Sequence, residues 1–341
     1  MNDKIDISKY QIRTDLMLES IKDDNKIAKK VSYEKNIKIT EIELKNNEGK
    51  SINKKDGLYI TIEYDDVTDT TSFEDAKSVF IKELNKLIKR NDIKEDATSL
   101  IIGLGNSNST PDSLGPMVSS KVLVTRYLYL LNEVSDGYRN VSSFAPGVMG
   151  NTGIESSDLI KCLIDTIKPD FLIVVDALAS NSIERLNKTI QMTDTGIAPG
   201  SGVGNKRKEI SKEIYNIPVI AIGVPTVIEA VTVVADTINY MYTHIKYLKK
   251  NMNNMKNKLI TSPNYLKEDV NNVTIDKKDL FGLIGDLSDE EFRSLIFDVL
   301  TPVGYNLMVT TKEIDFILEK VSDLIAKGID ETLHFKLNKK I

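Results

Sequence analysis

SLIIGLGNSNSTPDSLGPMVSSKVLVTRYLYLL, residues 99–131, holds the change of pattern on which the fold turns. Ser99–Leu104 is a short apolar run ending at a glycine, a loop follows, and Ser113–Leu131 is amphipathic, which together predict a strand, a loop and a helix. The alternation recurs downstream. A strand is expected at Val141–Ala145, a helix at Gly153–Ile167, and a strand at Phe171–Val175 immediately before Asp176. Short strands fit Thr189–Met192 and Pro218–Gly223. Val227, Val231, Val234, Ile238, Met241 and Ile245 recur every three or four residues and predict a helix over Thr226–Lys249. Strands alternating with helices imply an α/β fold with a largely parallel sheet flanked by helices on both faces.

Outward from this core the pattern changes. Residues 1–36 read as a polar N-terminal arm. Ile37–Leu44 and Leu58–Tyr64 alternate apolar and polar residues around the turn-like Asn46–Gly49, which predicts a β-ribbon, and a helix follows at Phe73–Arg90. Asn251–Lys278 is rich in Asn, Lys, Asp and Ser and reads as a linker. The tail reads as helical, clearest at Asp289–Leu300 and Lys312–Lys327. The expected organisation is residues 17–97 as arm, ribbon and helix, 98–250 as catalytic core, 251–278 as linker and 279–341 as a C-terminal helical region.

Composition narrows the function. Lys plus Arg number 45 against 50 Asp plus Glu, a net charge of −5, so there is no excess of cations for a phosphate backbone and direct nucleic-acid binding is not expected. No stretch reaches the ~18 apolar residues of a spanning helix and the N-terminus lacks a secretion signal, which points to the cytoplasm and away from a membrane. Cys162 is the only cysteine, so internal disulfides and thiol-rich zinc sites are excluded; it reads as core packing.

The loop after the Ser99 strand lies where ligands collect in doubly wound sheets. Its glycines suggest a dinucleotide site, but Asn108 stands where the third glycine of that fingerprint is required, and no cofactor is expected. Asp112 lies in this loop and could cap the helix that follows. Asp176 follows five apolar residues, at the carboxyl end of a central strand, where a carboxylate is costly unless paired or used. Two carboxylates at one sheet edge could share a proton, one activating water while the other polarises a scissile carbonyl. The same pair could instead hold a divalent ion, and the glycine loop alone would suit a non-catalytic nucleotide- or protein-binding module.

Gly200–Lys208 places Lys206, Arg207 and Lys208 after three glycines and fails the phosphate-loop pattern at Asn205 and Glu209; it reads either as a cationic flap or as a solvated loop. Thr152 and Glu155 have capping-box spacing. His244 and His334 lie in no catalytic motif.

GLGNSNSTPDSLGP, APGVMGNTGIESSD, VVDALASNSIERLN, DTGIAPGSGVGNKRKEIS, IPVIAIGVPTV and PVGYNLMVT together resemble the germination protease family of spore-forming bacteria. The resemblance implies a fold related to hydrogenase maturation proteases. It also implies an endopeptidase of the spore core that begins degradation of small acid-soluble spore proteins, an atypical aspartic peptidase whose essential pair matches Asp112 and Asp176, and a homotetramer. Members are made as inert precursors that remove their own N-terminal segment. The matching stretch is Tyr10–Met17, which assigns residues 1–16 as propeptide with cleavage between Leu16 and Met17. Members favour an acidic residue, a bulky apolar one, then alanine; Asp15 and Leu16 fit and Met17 departs. The same preference makes Lys206 and Arg207 candidate partners for an acidic residue of the substrate.

Overall fold

The computed structural model describes residues 14–21, 27–199, 208–252, 270, 272–300 and 307–338. Contacts divide the chain into two compact units, one of residues 13–180, 184–227 and 310–341, the other of residues 1–12, 181–183 and 228–309.

The strands are β1 (Lys29–Glu34), β2 (Ile37–Leu44), β3 (Gly57–Glu63), β4 (Ser99–Gly103), β5 (Val141–Phe144), β6 (Phe171–Ser180), β7 (Thr189–Thr193), β8 (Val219–Glu229) and β9 (Met308–Val309). The helices of the larger unit are α1 (Met17–Ser20), α2 (Thr70–Arg90), α3 (Leu114–Lys121), α4 (Arg126–Leu131), α5 (Met149–Thr152), α6 (Ser156–Ile167) and α7 (Lys212–Tyr215). The other unit carries α8 (Ala230–Asn251), α9 (Lys277–Phe281) and α10 (Asp289–Leu300); α11 (Ile314–Leu333) and α12 (Phe335–Asn338) return to the larger one.

The sheet runs in the order β1-β2-β3-β7-β8-β6-β4-β5. Its parallel centre is β6-β4-β5, with Ser99 beside both Phe171 and Val141. An antiparallel wing of β1, β2, β3 and β7 extends it, joined through β7 to β8.

Both faces of the centre are covered, as strands buried on both sides demand. On one face Ile101, Ile173, Val175, Ile220 and Ile222 pack with Phe80, Leu84 and Leu87 of α2, Leu114 and Val118 of α3, and Leu318, Val321, Ile325 and Ile329 of α11. On the other, Leu100, Ile102, Leu172, Val174 and Val219 meet Ile160 of α6. Helix α2 starts where Asp69 accepts the Ser72 amide at 2.8 Å, a side-chain N-cap. Helices α2 and α11 approach closely because residue 328 is glycine: a Cβ there would stand 2.4 Å from Phe80 Cδ1. In the second unit, Val231 and Ala235 of α8 pack with Ile296 of α10.

Several elements differ from their sequence reading. The helix expected over Ser113–Leu131 is broken between Lys121 and Arg126, because tertiary groups take the backbone there: the Leu123 amide donates to Asp330 Oδ1 at 2.8 Å, and Thr125 Oγ1 donates to the Arg139 carbonyl. Residues 226–229 belong to β8 rather than to the helix that follows. β1 lies in what reads as a polar N-terminal arm; its edge position leaves it largely exposed. Thr152 ends α5, and Gly153 at φ +71° separates it from α6, so the Thr152–Glu155 box is not formed. Cys162 is exposed on α6 rather than in the core. Much of the expected linker, residues 253–269 and 271, lies outside the described residues.

Candidate active site

Asp112 closes a tight loop at the carboxyl end of β4. Its amide donates to the Ser109 carbonyl at 2.8 Å, and its own carbonyl accepts the Asn106 amide at 2.9 Å. Gly105, at φ +114°, makes this possible, since a Cβ there would lie 2.1 Å from the Asp112 carbonyl oxygen. Ser113 Oγ donates to the Thr110 carbonyl at 2.8 Å, and Thr226 Oγ1 to the Pro111 carbonyl at 2.6 Å, so both flanks of Asp112 are tied down. Its side chain is half-buried.

Asp176 is 6% exposed and lies within β6, which runs on to Ser180 rather than stopping at Val175. The parallel ladder with β4 does end there, at Gly103 beside Val175, so Asp176 stands at the carboxyl edge of the paired strands. By strand alternation it shares a face with Leu172 and Val174. Its Oδ1 accepts the Ala177 amide at 2.9 Å.

The chain segments carrying the two aspartates adjoin. The Leu104 amide donates to the Val175 carbonyl at 2.8 Å, and a Cβ on Gly115 would come within 2.6 Å of that carbonyl oxygen and 2.1 Å of the Leu104 carbonyl oxygen. Only a glycine lets α3 begin this close to the strand ends.

The segment from Thr14 to Ser20 docks on the far end of β6. The Asp15 amide donates to the Ala179 carbonyl at 3.1 Å, and the Ala179 amide donates to Asp15 Oδ2 at 2.9 Å. Lys54 Nζ and Gln191 Nε2 donate to the Asp15 carbonyl at 3.0 and 3.2 Å, and Gln191 Oε1 accepts the Met17 amide at 2.6 Å. Leu16 and Met17 are fully buried, Met17 with Ile42, Leu44 and Tyr59. Glu19 anchors the downstream side, accepting from Ser180 Oγ at 2.8 Å and Arg185 Nη1 at 3.2 Å. Burial pushes the Lys54 ammonium below its usual pKa, against the charges of Asp15 and Glu19. A cavity of about 470 Å³ opens beside Asp15, lined among others by Lys54, Tyr59, Leu178, Gln191 and Thr193. Nothing in the sequence marks Lys54 or Gln191: the first sits in a polar run, Asn53-Lys54-Lys55-Asp56, that reads as a solvated turn, and the second is one polar residue in a strand.

Lys206 and Arg207 lie outside the described residues. Lys208 pairs with Asp158 at 2.8 Å on the exposed surface. His334 is buried, its Nδ1 accepting the Arg139 amide at 3.2 Å, and His244 stacks on Tyr247. Among the described residues no three His, Cys, Asp or Glu side chains are grouped to hold a metal ion, and no helix is long and apolar enough to cross a membrane.

A family model described as "Germination protease" matches residues 7–341. The germination protease of Geobacillus sp. (strain WCH70) is 42% identical, over 99% of this chain and 98% of that one. That of Oceanobacillus iheyensis is 45% identical, over 96% of each. Among solved structures, the hydrogenase maturation protease HycI from Thermococcus kodakarensis covers 42% of this chain and 80% of its own, at 17% identity and a TM-score of 0.27, too low to carry an argument. The protein is therefore a peptidase. It belongs to the germination protease family.

Proposed function

We propose that the protein is an endopeptidase of the spore core that begins the degradation of small acid-soluble spore proteins during germination, with Asp112 and Asp176 as its catalytic pair. The observation that carries this is the junction of their two segments at one carboxyl sheet edge, fixed by the Leu104–Val175 hydrogen bond and the glycine at 115. In this reading the two carboxylates share one proton, as carboxylates that occupy one site do. The ionised member takes a proton from water as it attacks and the protonated member donates to the carbonyl oxygen. The tetrahedral diol then collapses with cleavage of the C–N bond, the first carboxyl passing its proton to the leaving amine and the second taking one back from the diol. Family membership supports a protein substrate.

The protein is also proposed to be a zymogen that assembles as a homotetramer and removes its own N-terminus. The resemblance implies a cut at Leu16–Met17. A second reading, Asp15–Leu16, is favoured by the hydrogen bonds here. The Leu16 carbonyl is taken up in the first turn of α1, accepting from Ser20 Oγ at 3.1 Å, whereas the Asp15 carbonyl is presented to two side-chain donors just before the helix begins. Peptidases act on extended chain, and Leu16 is extended at φ −76° and ψ 127° just before the helix, whereas Met17 is already within it.

The test is incubation of the purified, processed chain with a purified small acid-soluble spore protein, with products mapped by mass spectrometry. Cuts confined to acidic–apolar pairs support the proposal; an intact substrate refutes it. Sedimentation at four times the chain mass supports the tetramer, and any other mass refutes it.

A further inference from the structure

β1 is the outermost strand of the sheet: it pairs with β2, and no strand among the described residues lies on its other side. Its residues, Lys29–Glu34, include no proline, and their register with β2 runs without a bulge, so nothing in the backbone stops that side from pairing. Its charges are of both signs, Lys29 and Lys30 at one end and Glu34 at the other. Val31 and Tyr33 share one face by alternation and are 48% and 71% exposed.

Backbone geometry restricts how two copies of this strand can meet. Glu34 opposes Ile37 across a two-residue turn, so the N–H and C=O of Glu34, Ser32 and Lys30 face β2, and those of Lys29, Val31 and Tyr33 face outward. In an antiparallel pair, outward-facing residues oppose outward-facing ones. Copies related by a two-fold axis can therefore set Val31 against Val31 or against Tyr33, never against Ser32. Setting Val31 against Tyr33 puts Ser32 against itself on the axis and Lys30 against Glu34. Each side chain then meets its complement: valine covers tyrosine twice on one face, and lysine pairs with glutamate twice on the other. The alternative register sets valine on valine, Lys29 on Tyr33 and Lys30 on Ser32, and matches no charges. Within the chain Lys30 already reaches Glu41 at 3.6 Å and Glu34 accepts from Lys82, so the pairing extends a surface ion network rather than burying a lone charge.

We propose that β1 is an interface between two copies of this chain, which pair antiparallel about a two-fold axis at Ser32 and continue the sheet from one subunit into the other. The inference rests on the reading above that the chain assembles with copies of itself, and deepens it. A tetramer built on two-fold axes needs two different self-complementary faces, and this edge is one of them.

The test is disulfide trapping in the full chain, with Cys162→Ser removing the one native thiol, which is exposed. Residues opposed on the axis have Cα atoms ~4.5 Å apart, within disulfide reach. Two copies of residue 31 would lie diagonally, at ~7–8 Å, beyond it. Mild oxidation should therefore join the Ser32→Cys, Cys162→Ser variant into covalent dimers and leave Val31→Cys, Cys162→Ser largely single. Tyr33→Lys, at an exposed position, should fold and sediment at half the wild-type mass; the trapping result stands by itself if it does not fold. Trapping through position 31 instead of 32 overturns the register, and trapping at neither overturns the interface. A Tyr33→Lys variant that keeps the wild-type mass but cuts the spore protein more slowly assigns the edge to substrate and overturns self-pairing. A wild type of twice the chain mass that traps at position 32 overturns the tetramer alone; a wild type of single mass that traps nowhere overturns both.

Discussion

The amide of Leu104 donates to the carbonyl of Val175 at 2.8 Å, so the loop bearing Asp112 leaves its strand directly beside the residue that precedes Asp176. Gly115 sits over this bond, with no room for a Cβ against three backbone atoms of the two segments. Gly115→Ala should therefore shift α3 and with it the Asp112 loop. The expected cost is about 2–3 kcal/mol of stability from overpacking, read from urea unfolding. Because a displacement of about 1 Å at a reacting group can cost on the order of 100-fold in rate, cleavage should fall by a similar factor under conditions where the variant stays folded. Full activity in Gly115→Ala would separate this contact from catalysis.

Processing can be read directly. Amino-terminal sequencing of the self-cleaved chain distinguishes a mature protein starting at Met17 from one starting at Leu16. The hydrogen bonds on the Asp15 carbonyl predict Leu16. Asp15→Ala, which removes the carboxylate accepting the Ala179 amide, should slow self-cleavage by about tenfold. An unchanged rate would show that the docked segment is not the processed one.

Asp330 gives a pH signature in stability. Burial raises its pKa to about 6, with Glu331 adding to the shift and the Leu123 amide opposing it. The unfolded carboxyl titrates near ~3.9, so the folded protein holds this proton where the unfolded chain has lost it. The contribution is fully present below about pH 4 and is lost as pH rises through about 6, on the order of 2 kcal/mol. His334, buried with a lowered pKa, acts with the opposite sign, its contribution being lost as pH falls. Asp330→Asn keeps an oxygen for the Leu123 amide and should remove the first slope while leaving the second. Identical pH profiles of unfolding for wild type and Asp330→Asn would contradict this assignment.

The central α/β pattern was legible because strands buried on both faces read as unbroken apolar runs, as in Ser99–Leu104 and Phe171–Val175. Those runs placed Asp112 in the loop after β4 and Asp176 directly after an apolar stretch, though β6 continues past Asp176 to Ser180. Their neighbourhood was not legible, since it depends on Leu104 meeting Val175 across the sheet, a pairing of residues 71 positions apart. The break after Lys121 was hidden for the same reason: Asp330 and Arg139 supply its partners from distant parts of the chain. Lys54 and Gln191 carried no local signal, because what distinguishes them is only the carbonyl of Asp15 that they share. The antiparallel wing was half visible: β2 and β3 alternate over a buried face, while the edge strand β1 has only Val31 and Tyr33 as apolar residues, and both face outward.

The most direct measurement is cleavage of a purified small acid-soluble spore protein by the processed chain beside Asp112→Asn and Asp176→Asn, each shown to be folded, with and without chelator. A paired-aspartate peptidase predicts rates reduced by about 100-fold or more in both variants and no effect of chelator on the wild type. Near-normal cleavage by either variant, or loss of wild-type cleavage on chelation alone, would contradict it.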